Sequence, residues 1–483
     1  MPYLVELEKS GIPTVLIDFE DQDIMVDEMA RVLGVPHMRY IHASRTVRGP
    51  ADVDSFLEPM FEALTRPLTD NEKEGGVWTS QDSRIIFEGT LLDAQEFYQQ
   101  SEELPGLLDS PYAKYSDGFP VIVPTEERVA EMLKGTSHKP DELITHQVDL
   151  VVASAPESVG SEPDALKGEP VRYMPMRRVA TVEQVAVNAV MAGCKPTDLP
   201  VVLAIAEASA GTGDGRDRQG FIVSGPIARQ IGMNFGFGLF GPGNPANKTI
   251  GRSANLMWRN LGGAIPSITV TSNWGGPMTN GGFCVAEYAG GLPDGWLGLN
   301  EEYGFKKEES IIMATRPENW NLGQEFAPGV YRSLQKDGHG AIARYLDVKG
   351  VSGPHNWLEY LTDGLWTTLE GGITLVMVPE MAQHLVDIGF KSKDDVCDWI
   401  WKKSFEPVRE YRMRGRPDFR TNGWTSIEKT SGKVWKELDP DYMVPAGGDH
   451  LRANLILVCG GEEETCHRFS GGHGPVWSID NWR

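Results

Sequence analysis

Residues 181–210, TVEQVAVNAVMAGCKPTDLPVVLAIAEASA, hold two helix-length segments that are apolar almost all the way round. A helix without a polar face cannot lie on a surface, so both must be enclosed by other parts of the chain. Thr181 followed by Gln184 forms a capping box that opens the first. Gly193 stops it, and the second begins after Thr197. At 483 residues, 40% of them hydrophobic, the chain is long enough to provide that enclosure. From Arg177 onward it reads as one large α/β body, with strands at FIVSG and NLILVCGG and a helix at MAQHLVDIGF.

The first seventy residues alternate helix-like and strand-like stretches: YLVELEKSG, IPTVLIDF, DIMVDEMARVLG, HMRYIHAS and ADVDSFLEPMFEALTRPL. Such alternation predicts a parallel sheet. A doubly wound unit ordinarily opens on a strand, whereas this stretch opens on a helix, which predicts either an incomplete sheet finished by another polypeptide or a small two-stranded appendage. Residues 71–176 are irregular, with linkers at 70–77 and 153–170 and a helix capped by Thr125, and 177–483 form the main body. No internal repeat is visible.

The formal net charge of −23 argues against a nucleic-acid or anionic-membrane partner, both of which require a basic face. No stretch approaches the run of about 18 apolar residues that spans a membrane. Five cysteines in a chain of this size do not make a disulfide framework and fit a reducing, cytoplasmic setting.

Gly236, Gly238 and Gly241 have the spacing G-x-G-x-x-G. A dinucleotide fingerprint requires a strand directly before it, a helix directly after it and an acidic residue about 20 positions on. Here GPIARQIGMNF precedes it, Pro242 follows it, and NLGGAIP occupies the acidic position, so that reading fails. What remains is a glycine- and asparagine-rich loop feeding the helix TIGRSANLMWRNLGG, with Asn247 or Thr249 as N-cap. Backbone N–H groups at that helix start, with Asn244 before it and Arg252 in its first turn, would attract a small anion. A loop whose glycines only permit tight packing is the alternative.

Cys194 lies between the two apolar helices, where a following helix N-terminus favours thiolate; a buried inert cysteine is the plain alternative. Asn188 and Glu207 interrupt the same helices, and a buried Glu207 is a candidate general acid or base. Cys459, Cys466 and His467 are ligand types that suit zinc, in a spacing zinc sites do not use. They sit in a glycine-rich loop after a buried strand, where α/β proteins place active sites. Cys284 is predicted in a strand, with Glu287 as its polar neighbour.

Four stretches together resemble the UGSC family of selenocysteine- or cysteine-containing proteins: FPVIVPTEERVAEMLKGT, VATVEQVAVNAVMAGCKPTDLPVVLAIAEA, SGPIARQIGMNFGFGLFGPGNPANKTIGRS and ILVCGG. The likeness covers most of residues 118–300. VELEKSGIPTVLIDF looks like the segment that, in that family, follows a redox motif in a flavodoxin-like unit; the motif itself is missing before it. The resemblance therefore implies an incomplete flavodoxin-like N-terminal unit beside the larger α/β (α+β) body, and a small partner subunit carrying the Cys or selenocysteine motif. The family-like positions are Asn188, Cys194, Glu207, Asn244, Asn247, Thr249, Arg252 and Cys284. Pro245, Lys248 and the longer CHRFSGGHGP tail depart from the family pattern.

The expected function is thus a subunit of a heteromeric thiol- or selenol-dependent oxidoreductase acting on a small anionic molecule at the 236–252 loop, with Cys194, Glu207 and Cys284 as catalytic candidates. The alternatives are a lyase or hydrolase using Glu207 and a metal at the Cys459–His467 loop, and a non-catalytic scaffold for a selenol subunit. No cofactor is indicated by any motif.

Overall fold

The computed structural model describes residues 2–18, 23–43, 50–74, 84–104, 111–148, 167–176, 178–208, 220–266, 269, 282–315, 330–332, 357–362, 372–414, 427–428, 430–445, 447–448, 450–461 and 465–483. The Gly/Asp-rich loop before FIVSG, most of the 153–170 linker and part of the basic stretch REYRMRGRPDFR fall outside these residues. The chain is an α/β protein. Among the described residues no helix is long and apolar enough to cross a membrane.

The N-terminal segment comprises α1 (Pro2–Lys9), β1 (Leu16–Asp18), α2 (Asp23–Val32), β2 (Tyr40–His42) and α3 (Pro50–Thr65). Its strands pair in parallel, Ile17 opposite Ile41, and among the described residues they form a sheet of two. Val5 and Leu33 anchor it against Met176. Next come α4 (Asp70–Lys73), α5 (Leu91–Tyr98), the pair β3 (Ser101–Glu103) and β4 (Pro111–Ala113), and α6 (Glu126–Met132). Thr125 caps α6 through the Arg128 N–H.

The main body opens with α7 (Val182–Ala192) and α8 (Leu199–Glu207). The Thr181–Gln184 capping box forms as expected, and Gly193 ends α7 at φ 91°, a conformation that favours glycine. Every residue of α8 is buried. There follow β5 (Gly220–Ser224), α9 (Ile227–Gln230), α10 (Pro245–Asn260), β6 (Cys284–Ala286), α11 (Leu299–Glu302) and β7 (Ile311–Thr315). The second part holds β8 (Val330–Arg332), α12 (Trp357–Leu361), β9 (Ile373–Met377), α13 (Pro379–Asp387), α14 (Lys393–Lys403), β10 (Phe405–Pro407), α15 (Val408–Arg414), β11 (Met443–Pro445), β12 (Leu455–Val458), β13 (Thr465–Ser470) and β14 (Val476–Ser478).

Two four-stranded sheets carry this body, one in the order β14-β7-β5-β6 and the other β12-β9-β13-β8. Their strand directions follow one plan. In the first, β6 is parallel to β5, β7 antiparallel to β5, and β14 antiparallel to β7. In the second, β12 is parallel to β9, β13 antiparallel to β9, and β8 antiparallel to β13. The linear sequence shows no repeat, yet the sheets share this plan, because strand pairing fixes direction and register without fixing side-chain identity.

Alternation along each strand builds the layers. Phe221, Val223 and Ile312 face α7, α8 and α10, while Ile222, Val285 and Met313 face the second sheet. There Val376, Leu455 and Leu457 receive them, and Ile373, Leu375, Ile456 and Val458 face α12, α13 and α14. The order is helices, sheet, sheet, helices, so the central strands are apolar on both faces.

Helix α10 reaches β6 through two glycines. A Cβ on Gly251 would lie 2.7 Å from the Phe283 nitrogen, and one on Gly282 2.0 Å from the Gly251 carbonyl carbon. Gly251→Ala is therefore expected to cost about 1–3 kcal/mol of stability, despite the better helix propensity of alanine. It should appear as a lower urea midpoint at unchanged slope. Gly236→Ala, whose Cβ would meet nothing nearer than 3.7 Å, should stay within about 0.5 kcal/mol of wild type.

Candidate functional site

Ligands in open α/β sheets bind beyond the carboxyl ends of parallel strands. Here those ends meet: the Tyr288 N–H, just after β6, donates to the Val458 carbonyl at the end of β12 (2.9 Å). The glycine-rich loop lies over the junction, with the Gly460 N–H donating to the Phe235 carbonyl (2.8 Å). Phe235 stacks on Tyr288 at 4.9 Å, and Phe237 rests on Gly461, where a Cβ would come within 2.3 Å of its ring. The two glycine-rich stretches that the sequence singles out are thus brought together.

The loop is tied by three asparagines. Asn234 Nδ2 donates to the Phe237 carbonyl and to Asn244 Oδ1 (both 2.8 Å), and its Oδ1 accepts from the Gly236 N–H (2.8 Å). Asn244 Nδ2 donates to the Gly238 carbonyl (2.8 Å). Asn247 pairs with the backbone of Asn234, accepting from its N–H (2.8 Å) and donating to its carbonyl (2.9 Å). The amides of Asn244 and Asn247 therefore hold the loop itself. The N-cap is Asn244, with Pro245 opening the helix, rather than Asn247 or Thr249. Pro fits there because its missing N–H has no intrahelical partner in the first turn.

Arg252 is already engaged. Its Nε and Nη2 donate to both carboxylate oxygens of Asp117 (2.8 Å each), and Nη2 also reaches the Phe119 carbonyl (3.1 Å). Such a bidentate pair satisfies the guanidinium in a fixed geometry. Removing Arg252 leaves a largely buried Asp117 without its cation, holding only the Phe119 N–H.

Cys194 follows Gly193, with its N–H on the Ala189 carbonyl (3.0 Å). The residue keeps some surface outside, yet its sulfur is enclosed. Burial pushes the thiol up, Asp198 adds to this, and the hydroxyls of Thr249 and Ser253 oppose it without prevailing. The expected lowering by the helix start is thus overturned by burial. Cys284, the first residue of β6, is buried beside it and is likewise pushed up by burial, then by Cys194 and Asp198. Cys194, Thr249, Arg252 and Cys284 form one neighbourhood around the first half of α10; Asn188 meets the far end of that helix, and Glu207 lies elsewhere.

Asn188 links α7 to α10: its Oδ1 accepts from Asn260 Nδ2 (2.7 Å), and its Nδ2 donates to the Gln184 carbonyl (2.9 Å). Glu207 is buried at the end of α8, accepting from the Gln147 N–H (2.8 Å) and from Trp482 Nε1 (2.7 Å). Burial raises its carboxyl, and the two donors pull the other way. It thus joins the end of α8 to two distant stretches of chain.

The metal reading of Cys459, Cys466 and His467 does not survive the fold. Cys459 packs between the sheets, whereas Cys466 packs toward α12–α14 on the opposite face. Adjacent residues of a strand point to opposite sides, so His467 cannot join both. Among the described residues no group of three His, Cys, Asp or Glu side chains is placed to hold a metal.

Sequence reasoning missed a buried ionic cluster. Beyond β6, Glu287 is buried and accepts from Ser224 Oγ (2.7 Å), from the Leu299 N–H (2.8 Å) and from Lys393 Nζ (2.7 Å). Lys393 also donates to Glu302 (3.1 Å), and the Asn300 N–H donates to Ser224 Oγ (3.2 Å). The side chains of Lys393, Glu287 and Glu302 are 2%, 0% and 5% exposed, so the group is sealed from water. Burial alone would lower the Lys393 ammonium, but the two carboxylates outweigh it and hold it protonated. Glu302 is raised, chiefly by burial. Beside them Tyr303 Oη donates to the Gly474 carbonyl (2.7 Å) and lies 2.9 Å from His473 Nδ1. Burial, with Arg452 and Lys393 nearby, pushes His473 down to about 3. A signal did exist: Lys393 starts a helix, where a cation opposes the dipole.

Comparison of the chain with protein-family models, curated proteins and solved structures finds no match.

Two predictions follow from these contacts. Arg252→Ala should lower stability by about 1–3 kcal/mol through the orphaned Asp117, and adding Asp117→Asn should recover part of that loss in urea titrations. The raised Glu207 carboxyl favours the folded state below its unfolded value and loses that contribution as pH rises through the folded one. The stability difference should thus shift toward Glu207→Gln as pH climbs above about 4.3, measured by denaturant titration across pH.

Proposed function

We propose that this chain is the larger subunit of a heteromeric thiol- or selenol-dependent oxidoreductase acting on a small anionic molecule. A second, small chain carries the attacking residue, in a reducing, cytoplasmic setting. The observation that supports this reading most is that Cys284, Cys397, Cys459 and Cys466 are buried and Cys194 is partly so. Burial pushes up Cys194, Cys284, Cys397, Cys459 and Cys466 alike, so none is prepared to attack at neutral pH. In a thiol-dependent reaction the nucleophile then has to come from elsewhere. The UGSC-like stretches agree with such a division, with the parallel pair β1/β2 read as part of the flavodoxin-like unit.

The substrate would lie beside the glycine-rich loop, where the ends of β6 and β12 meet. Arg252 serves this site by fixing α10 through Asp117 rather than by meeting the anion. Glu207 and the Cys459–His467 loop drop out as the centre of a lyase or metal-dependent hydrolase, because the first is tied to Gln147 and Trp482 and the second does not converge.

Isolation of the tagged chain from its native host under reducing conditions tests the reading. A co-purifying small polypeptide with a Cys-Gly-Ser-Cys-like or selenocysteine motif is expected; a homo-oligomer or a lone chain would overturn it. In the isolated complex, Cys194→Ser should keep turnover within about threefold of wild type, whereas alkylation of the small chain's reactive residue should abolish it.

A further inference from the structure

The two sheets agree beyond strand order. Ile222 of β5 lies opposite Val285 and Met313, and Met313 opposite Val476. Val376 of β9 lies opposite Leu457 and His467, and His467 opposite Val330. One residue on, the Glu287 N–H donates to the Val223 carbonyl, and the Cys459 N–H donates to the Met377 carbonyl, both at 2.9 Å. In each sheet the first strand leads into a helix, α9 or α13, and a further helix, α10 or α14, follows before the parallel edge strand, the second copy also carrying α15 and the pair β10/β11 there. The third strand then runs antiparallel. The fourth strands, VWS and VYR, are exchanged: β8 follows β7 in the chain but completes the second sheet, and β14 follows β13 but completes the first.

We infer that the sheets are two copies of one unit that have traded their last strands, and that the ionic cluster of Glu287, Glu302 and Lys393 is a positioning device for the glycine-rich loop rather than a requirement of the fold. By the register, Cys459 stands where the first copy has Glu287, and Val378, one residue past Met377, stands where it has Ser224. Both of these places carry uncharged side chains in the second copy, whose Lys393 is nonetheless part of the buried cluster. Replacing buried ion pairs by neutral groups of similar volume is often neutral or stabilising, so the fold has no evident need of the cluster.

The contacts show what it positions. Lys393 belongs to the second copy and Glu287 to the first, so their bond crosses between them. The next residue, Tyr288, bonds to Val458 and stacks on Phe235 of the loop, whose carbonyl is held by Gly460. The line from Lys393 through Glu287 and Tyr288 to Phe235 fixes the loop over the junction of both copies.

The test uses the full-length chain and needs neither a second chain nor a substrate, so it stands apart from the test of the proposed activity. The variant E287Q/E302Q/K393M removes the charges and keeps an acceptor for Ser224 and the Leu299 N–H. Its Tm should stay within about 5 °C of wild type. The amides of residues 234–244 should exchange with deuterium at least about tenfold faster, while those of β5 and β9 are unchanged. A larger fall in Tm, or failure to fold, would make the cluster a fold requirement and overturn the inference. So would an unaltered loop exchange at an unaltered Tm.

Discussion

The contact between the two sheets is the constraint on which the rest depends. Ile222, Val285 and Met313 meet Val376, Leu455 and Leu457 in a layer closed to water, and each sheet has its other face covered by helices. A strand enclosed on both faces has no side on which to carry a polar residue without burying it. Polar chemistry is thereby driven to the strand ends. That is where Ser224, Glu287, Asn300 and the glycine-rich loop are found.

At those ends the molecule accepts local conflicts. A lysine at the first position of α14 opposes the helix dipole, and two carboxylates share one buried ammonium. Natural sequences break such local rules mainly where function asks for it. The thiols show the reverse. Cys284, Cys459 and Cys466 sit in apolar packing that suits a small hydrophobic side chain and suppresses its acidity.

Local patterns in the sequence carried the helices well. The Thr181–Gln184 box, the Gly193 stop and the buried character of α7 and α8 were all legible, because each depends on residues a few positions apart. The strands FIVSG and NLILVCGG were legible for the same reason. The cluster was not, since Ser224, Glu287 and Lys393 are separated by 63 and 106 positions in the chain. Arg252 looked like a free cation because Asp117 lies 135 residues away. Asn234 escaped notice although it ties the loop, since nothing local marks an amide that folds back on its own loop. The shared plan of the sheets was hidden for a different reason. It resides in backbone pairing, and the side chains have diverged so far that Glu287 and Cys459 hold equivalent places.

The exchanged fourth strands bear on how the chain is made. During synthesis β7, at 311–315, emerges well before its partner β14, which lies at 476–478. Until then the β7 edge offers unpaired N–H and C=O groups in an apolar strand, a template for wrong pairing. The first sheet also cannot close before the second is largely complete, which raises the sequence separation of the contacts that finish the fold and slows their formation. A newly made chain is thus committed to a late, cooperative closure in which both copies become whole together.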